Sequence, residues 1–297
     1  KHLLDREQQG RHASPESLGG TLQLSPRRVM RLLEKMQAQN LVEVRGLELH
    51  LTAEGERWAL QVVRAHRLWE RYLADEARMP LNQIHEEAHR REHSLSQEEV
   101  DALESALGYP QTDPHGDPIP TREGTLAQTL AQPLTALQTD LPARIIHLED
   151  EPAIAFEQIL AAGLRLGQVI RLIEKTPQRC VLSDGENEYR LAPSVAANVH
   201  VLPLTQNEPA PDGLIPLWQL PHQQSAEIVL LDESVQGFTR RRFLDLGLTP
   251  GSKIQPELQN FFGDPRGYRV RGTLIALRRE QAEQIKVKAL GSREDSR

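Results

Sequence analysis

Four of the eleven histidines, His66, His85, His89 and His93, lie close together in the chain, and acids accompany them. His66 and Glu70 are spaced one helical turn apart, on the same face as Val62, Val63, Trp69 and Leu73. That spacing puts a titratable pair on a stripe that should be buried. His85, His89, Glu92 and His93 then fall at i, i+4, i+7 and i+8, a single helical face over more than two turns. Such a row is costly to bury unless a cation pairs with it, and nitrogen and oxygen donors without a thiol suit Mn, Fe, Co, Ni or Zn. The competing reading is a solvated face, because HEEAHRREH is strongly charged; six candidate ligands on two helices favour the metal. HEEAH also satisfies His-Glu-x-x-His, in which Glu86 would be the general base of a zinc hydrolase. That chemistry needs a third ligand and a substrate cleft, whereas the motif here sits in a short helical segment followed by REHS. The chain is read as a non-enzyme.

The elements that must position these residues follow from patterning. In 297 residues, 35 Lys and Arg face 42 Asp and Glu, 38% are hydrophobic, and no apolar run approaches the roughly 18 residues of a membrane span. This is the composition of a soluble, multidomain globular protein. The single Cys180 excludes an internal disulfide and makes the cytoplasm the default setting. A net charge of −7 argues against a protein coated in basic residues, although not against one local basic element. That element is present. Pro15 to Leu22 reads as a short helix, Gln23-Leu24 as a tight turn, and Ser25 as the N-cap of a helix that begins at Pro26 and stops near Gln39-Asn40. Val29, Leu32, Leu33 and Met36 have core spacing on it, while Arg27, Arg28, Arg31 and Lys35 project from the other side. The strands LVEV and LELHL, joined at Arg45-Gly46, add a wing. Helix, turn, helix, hairpin is the order of a winged helix, and its second helix carries the charge that docking in a DNA major groove requires.

From Thr52 a long helix is expected to run to about Met79, where Pro80 breaks it; a second covers Asn82 to His93, and Ser96 with Glu99 caps a third. Pro110 to Pro120 reads as a loop. The remainder is β-rich and repeated. A Leu-x-x-Gly-Leu-x-x-Gly pattern recurs from Leu160 and from Leu244, each copy followed by a strand-turn-strand stretch and a short closing strand. The expected architecture is a mainly α N-terminal half followed by two small all-β barrels of the SH3-like kind. The boundaries are a winged helix over 1–60, a helical metal-binding and dimerisation domain over 61–125, a linker over 126–140, a first barrel over 141–205, a linker over 206–222 and a second barrel over 223–291.

The segments HLTAEGERWA, VVRAHRLWERYL, IHEEAHRREHSLS and DPHGDPIP, in that order, resemble the diphtheria toxin repressor family, with the manganese regulators as a branch. RRRFLDLGLTPGSKI and DPRGYRVRGTLIALR resemble the FeoA-type SH3-like barrel. The resemblance implies a metal-activated transcriptional repressor of iron or manganese homeostasis, a homodimer on a palindromic operator in double-stranded DNA. Its cofactor would be Fe2+ or Mn2+, with Zn2+, Co2+ and Ni2+ also admissible. It places His89, Glu92 and His93 on a primary regulatory site, His66, Glu70 and His85 on an ancillary site, Arg67 on an anion contact, and Glu151 near a ligand donated by the first barrel. The basic face of the second helix of the helix-turn-helix, by its own pattern, makes Ser25, Arg27, Arg28, Arg31 and Lys35 the candidates for DNA contact. The position of His89 is a Cys in iron-responsive members and a Glu in manganese-responsive ones. The family draws one more primary ligand from its first helix, upstream of Lys1. An alternative is the cytosolic part of a metal transport protein, which long apolar spans upstream of Lys1 would mark.

Overall fold

The computed structural model describes residues 1–127, 130–204, 214–232, 235, 237–259 and 263–290. Helices α1 (His2–Gln8), α2 (Pro15–Leu22) and α3 (Pro26–Ala38) and the hairpin of β1 (Val42–Arg45) and β2 (Glu48–Leu51) make a winged helix. Its core is Leu3, Leu18, Val29, Leu33, Val42 and Leu49. Ser14 and Ser17 form a reciprocal capping box at the start of α2, and Gln23 ends that helix in the left-handed region. Ser25 is the N-cap of α3 but makes no side-chain capping bond, so Pro26, which needs no N–H partner, sets the start of that helix.

α4 (Ala53–Asp75) starts hard against the wing. Thr52 caps it through Gly55 N–H, and a Cβ on Gly55 would lie 1.9 Å from the Leu41 carbonyl oxygen, so only glycine allows the approach. The helix stops four residues short of Met79: Arg78 takes a left-handed φ of +55°, and Met79 N–H folds back onto Leu73 O at 2.9 Å. α5 (Leu81–Arg91) also ends early, with Glu92 as its C-cap, so His93 lies beyond the helix and off the face its spacing predicted. α6 (Gln97–Ala106) opens on the expected Ser96–Glu99 capping box. Buried Arg64 ties α6 to α4 through Asp101 and Glu104 at 2.8 and 2.7 Å. Buried Arg71 donates to the Thr112 and Asp113 carbonyls and holds the 110–120 loop on α4.

Two β-rich units follow. The first comprises β3 (Gln132–Pro133), β4 (Pro142–Leu148), α7 (Ala153–Ala162), β5 (Val169–Lys175), β6 (Cys180–Ser183), β7 (Glu188–Leu191), α8 (Pro193–Ala196) and β8 (Val199–Pro203). The second comprises β9 (Leu214–Pro216), β10 (Ala226–Leu231), α9 (Gly237–Asp245), β11 (Lys253–Gln259), β12 (Arg266–Val270), β13 (Thr273–Leu277), α10 (Arg279–Glu283) and β14 (Ile285–Ala289). Element order and strand order match throughout: β3-β8-β4-β5-β6-β7 in one and β9-β14-β10-β11-β12-β13 in the other. The repeated Leu-x-x-Gly is the end of a helix in both, because Gly163 and Gly247 take φ of +85° and +80° after α7 and α9. The units are therefore not purely strand. Within the stretch read as the first linker, β3 pairs with β8 and Leu134 and Leu137 are buried in the barrel core. Residues 206–213 of the second linker lie outside the described residues, and Leu217 and Leu220 beyond them are buried in the second core.

The second barrel docks on the end of α4. Asp75 accepts a hydrogen bond from Gly237 N–H (2.7 Å) and faces Arg240 Nε at 3.4 Å, while Arg240 Nη2 donates to Leu107 O. Among the described residues no helix is long and apolar enough to cross a membrane.

Candidate metal centre

α4 carries His66 and Glu70 one turn apart, and both are buried. α5 packs across them, bringing His85 from its middle to Glu70 and His89 and Glu92 from its end to His66. His66 Nε2 lies 2.9 Å from Glu70 Oε1, and His66 Nδ1 lies 2.7 Å from Glu92 Oε2. With a carboxylate on each nitrogen, the ring is satisfied when both nitrogens carry protons. Burial opposes that charge, but the bonds to Glu70 and Glu92 outweigh it and raise the His66 pKa. Glu92 is also buried, which pushes its pKa up; the His66 bond and the contact from the Lys1 ammonium reverse this and lower it to about 2. Glu70, taking bonds from His66 and His85, is held well below the usual carboxylate range despite its burial.

The trio assigned to the ancillary site is together in space, whereas the other group gains His66 and lacks His93. His66, Glu70 and His85 bring donor atoms within 4.8 Å of one another, and so do His66, His89 and Glu92. His66 thus belongs to both groups. His89 Nδ1 is 3.1 Å from Glu92 Oε1, and His93 Nε2 is 3.3 Å from the same oxygen; both rings are about two-thirds exposed. Glu151 stays at the edge, 3.7 Å from His85 Nε2 and largely exposed. Its neighbour Asp150 takes the inner place, 2.8 Å from His85 Nδ1, and together with Glu70 it raises the His85 pKa to about 10.

A further histidine comes from the 110–120 loop. His115 is 1% exposed, with Nδ1 3.9 Å from Glu70 Oε2 and 3.8 Å from Asp150 Oδ2. These separations are too long for hydrogen bonds yet suit ligands that share an ion. Its Nε2 is buried with no partner among the described residues. Gly116 makes the placement possible: at φ +97° it comes so near β4 that a Cβ would sit 2.1 Å from Ile146 O. Leu148 N–H then donates to His115 O at 2.8 Å, which sets the loop beside the strand that leads into Asp150. Neither His115 nor Asp150 was singled out from the sequence. The available signals were a histidine inside a Pro/Gly/Asp loop and a second acid beside Glu151.

The donor set fits a divalent ion. Glu70, Glu92 and Asp150 converge with four imidazoles, and without an ion their negative charge is met by protons on His66 and His85 and by the Lys1 ammonium at Glu92. A cation that binds carboxylates and neutral imidazoles would displace those protons. Arg67 is turned onto the loop instead: Nη1 donates to Pro118 O at 2.6 Å, Nη2 is 3.2 Å from Asp117 and Nε 3.7 Å from Asp113. Its charge therefore already meets two carboxylates of the chain itself. Burial, with Asp117 and Glu70 nearby, pushes Asp113 well above the usual range, against the pull of Arg67.

His85 and His89 of HEEAH attend different groups, and Glu86 is exposed. The motif does not gather its own histidines around one point. On the winged helix, Ser25, Arg27, Arg28, Arg31 and Lys35 are all exposed on α3, on the side away from Val29 and Leu33.

Residues 52–121 match the profile described as iron dependent repressor, metal binding and dimerisation domain, and residues 215–289 match the FeoA domain. The iron-dependent repressor IdeR of Mycobacterium leprae is 34% identical over 119 residues, which are 40% of this chain and 52% of the relative. The chain thus spans about half the length of that curated relative. The diphtheria toxin repressor of Corynebacterium glutamicum is 30% identical over 184 residues, 58% of this chain and 80% of the relative. Among solved structures, a manganese-dependent transcriptional repressor in complex with manganese superposes with a TM-score of 0.61 at 26% identity, covering 68% of this chain and 98% of the other. ScaR with bound Cd2+ superposes at 0.59 with 24% identity, covering 68% and 96%, a likeness of fold. With the winged helix, the two-helix cluster and the FeoA-type barrel all in place, the chain belongs to the diphtheria toxin repressor family.

Proposed function

We propose that the chain is a divalent-metal-dependent, DNA-binding transcriptional repressor of iron or manganese homeostasis, acting as a cytoplasmic homodimer. The observation that carries this reading is the buried cluster in which one ring, His66, joins Glu70 on α4 to Glu92 at the end of α5. His66, Glu70 and His85, with His115 and Asp150, would hold one ion; His89, Glu92 and His93 are the candidates for a second. A bound divalent ion supplies the positive charge that the carboxylates otherwise take from protonated imidazoles. The chain's own residues translate that charge into position. Glu70 and Glu92 draw α4 and α5 together, and α4 abuts the wing at Gly55, so the packing of the two helices governs how α3 is presented. Ser25, Arg27, Arg28, Arg31 and Lys35 face outward to pair with phosphates and base edges. Two copies related by a twofold axis would read a palindrome. The names of the relatives, and the description of the domain matched by residues 52–121, support the metal and the dimer.

The test is a mobility-shift titration of the full chain on DNA upstream of metal-uptake genes, with Mn2+, Fe2+ and Zn2+ added separately, alongside Glu70→Gln/Glu92→Gln. A metal-dependent shift that the double variant loses supports the reading. A shift indifferent to metal, or one the variant retains, overturns it.

A further inference from the structure

Away from this cluster, the winged helix holds a second convergence of metal-binding side chains. Glu7 lies in the last turn of α1, His12 follows the helix, and His50 sits on β2 of the wing; one donor atom from each lies within 4.8 Å of the others. We propose that Glu7, His12 and His50 form a separate divalent-cation site, of the class that takes Zn2+, which clips the first helix to the wing.

The backbone builds this site. Ala13 and Leu49 form an antiparallel bridge, with Leu49 N–H donating to Ala13 O at 2.8 Å. In an antiparallel pair the next residues outward stand opposite each other, so His12 faces His50 by register. Their rings are 4.1 Å apart between centroids and tilted by 45°. Glu7 Oε1 accepts from Leu51 N–H at 2.8 Å, which anchors the carboxylate beside the strand and leaves its second oxygen available. Glu48, on the same face as His50 by strand alternation, has Oε2 3.5 Å from His50 Nε2.

The donor set selects the ion. Two imidazoles and one carboxylate leave a fourth tetrahedral position for water, the composition of an open zinc site. Tetrahedral bonds of about 2.0 Å put donors roughly 3.3 Å apart, so the side chains close in by small rotations on loading. His12 is exposed and His50 half-buried, which gives the ion a route in from solvent. Nitrogen-rich, three-donor sites bind Zn2+, Ni2+ and Cu2+ above Mn2+ and Fe2+ in the usual order of affinities. The site shares no residue with the larger cluster, and it stands whether or not that cluster regulates DNA binding.

The experiment counts Zn2+ ions per chain by equilibrium dialysis in a Glu70→Gln/Glu92→Gln background, which removes two of the three carboxylates of the larger cluster. His12→Ala and His50→Ala are each expected to lower the count by one. Glu7→Gln keeps an oxygen to accept from Leu51 N–H but loses the charge, and is expected to weaken that ion at least ten-fold while the metal-free melting temperature stays unchanged. A count unaffected by both histidine variants, or a Glu7→Gln chain that binds as tightly as its parent, overturns the proposal.

Discussion

His66 Nδ1 stands 2.7 Å from Glu92 Oε2, across the gap between α4 and the end of α5. Because the opposite nitrogen of the same ring meets Glu70, changes at either carboxylate are felt at the other. The two sites implied by family resemblance therefore share a wall.

Removing that wall has an asymmetric cost. His66→Ala should weaken metal-stimulated DNA binding more than His89→Ala or His93→Ala, whose rings are two-thirds exposed. Losses on the order of 10–100-fold are expected for His66. Metal titrations followed by fluorescence anisotropy on labelled operator DNA measure the ranking; equal losses for all three would favour two independent sites.

The basic face of α3 should act through phosphates. Arg27→Ala, Arg28→Ala and Arg31→Ala each remove one exposed cation. Each substitution of a phosphate-contacting residue should flatten the dependence of log K on log salt by about 0.9. A variant that relaxes sequence preference with the slope intact marks a base contact.

Gly116→Ala should be far more damaging than Gly163→Ala. Both positions have positive φ, which strains an alanine by about 1–3 kcal/mol, but only at Gly116 would the new Cβ meet a backbone oxygen, at 2.1 Å. The loop must then leave β4 and take His115 with it. Thermal unfolding and metal titration of both variants should show a loss of metal affinity in the first alone.

Asp75 is the counter-charge for buried Arg240 and accepts from Gly237 N–H. Asp75→Ala strands that arginine and should cost about 3–5 kcal/mol in denaturant unfolding. Asp75→Ala/Arg240→Leu should recover part of the loss, because the uncompensated charge is gone.

Alkaline stability should depend on Tyr268. Its hydroxyl is buried in the second barrel, which pushes its pKa up to about 12, against the pull of nearby Arg266. Below pH 10 the hydroxyl is neutral in the folded and unfolded chain and contributes no slope. Between pH 10 and 12 only the unfolded chain ionises, so stability falls with rising pH, by about 2–3 kcal/mol. Tyr268→Phe should remove that decline from urea midpoints measured across the window.

Local patterns carried much of this structure. The spacing of His66 and Glu70 marked a charged pair on a buried stripe, Ser96 and Glu99 capped α6, and the repeated Leu-x-x-Gly foretold two units with one topology. What escaped depends on contacts between distant segments. α4 stops at Asp75, where Arg78 turns left-handed and the second barrel takes up the Asp75 carboxylate. His115 and Asp150 meet Glu70 because a glycine lets a loop lie against β4, which no periodicity records. His93 lost its predicted face once α5 ended two residues early.

The unbroken run of α4 makes it a lever with its fulcrum at the histidine. Gly55 is one end, Asp75 is the other, and His66 lies near the middle. The eleven residues from Gly55 to His66 span about 16 Å, so a tilt of about 4° at the fulcrum swings the wing through roughly 1 Å. The opposite arm ends where Asp75 holds Gly237 and Arg240, so one helix joins the second barrel to the wing.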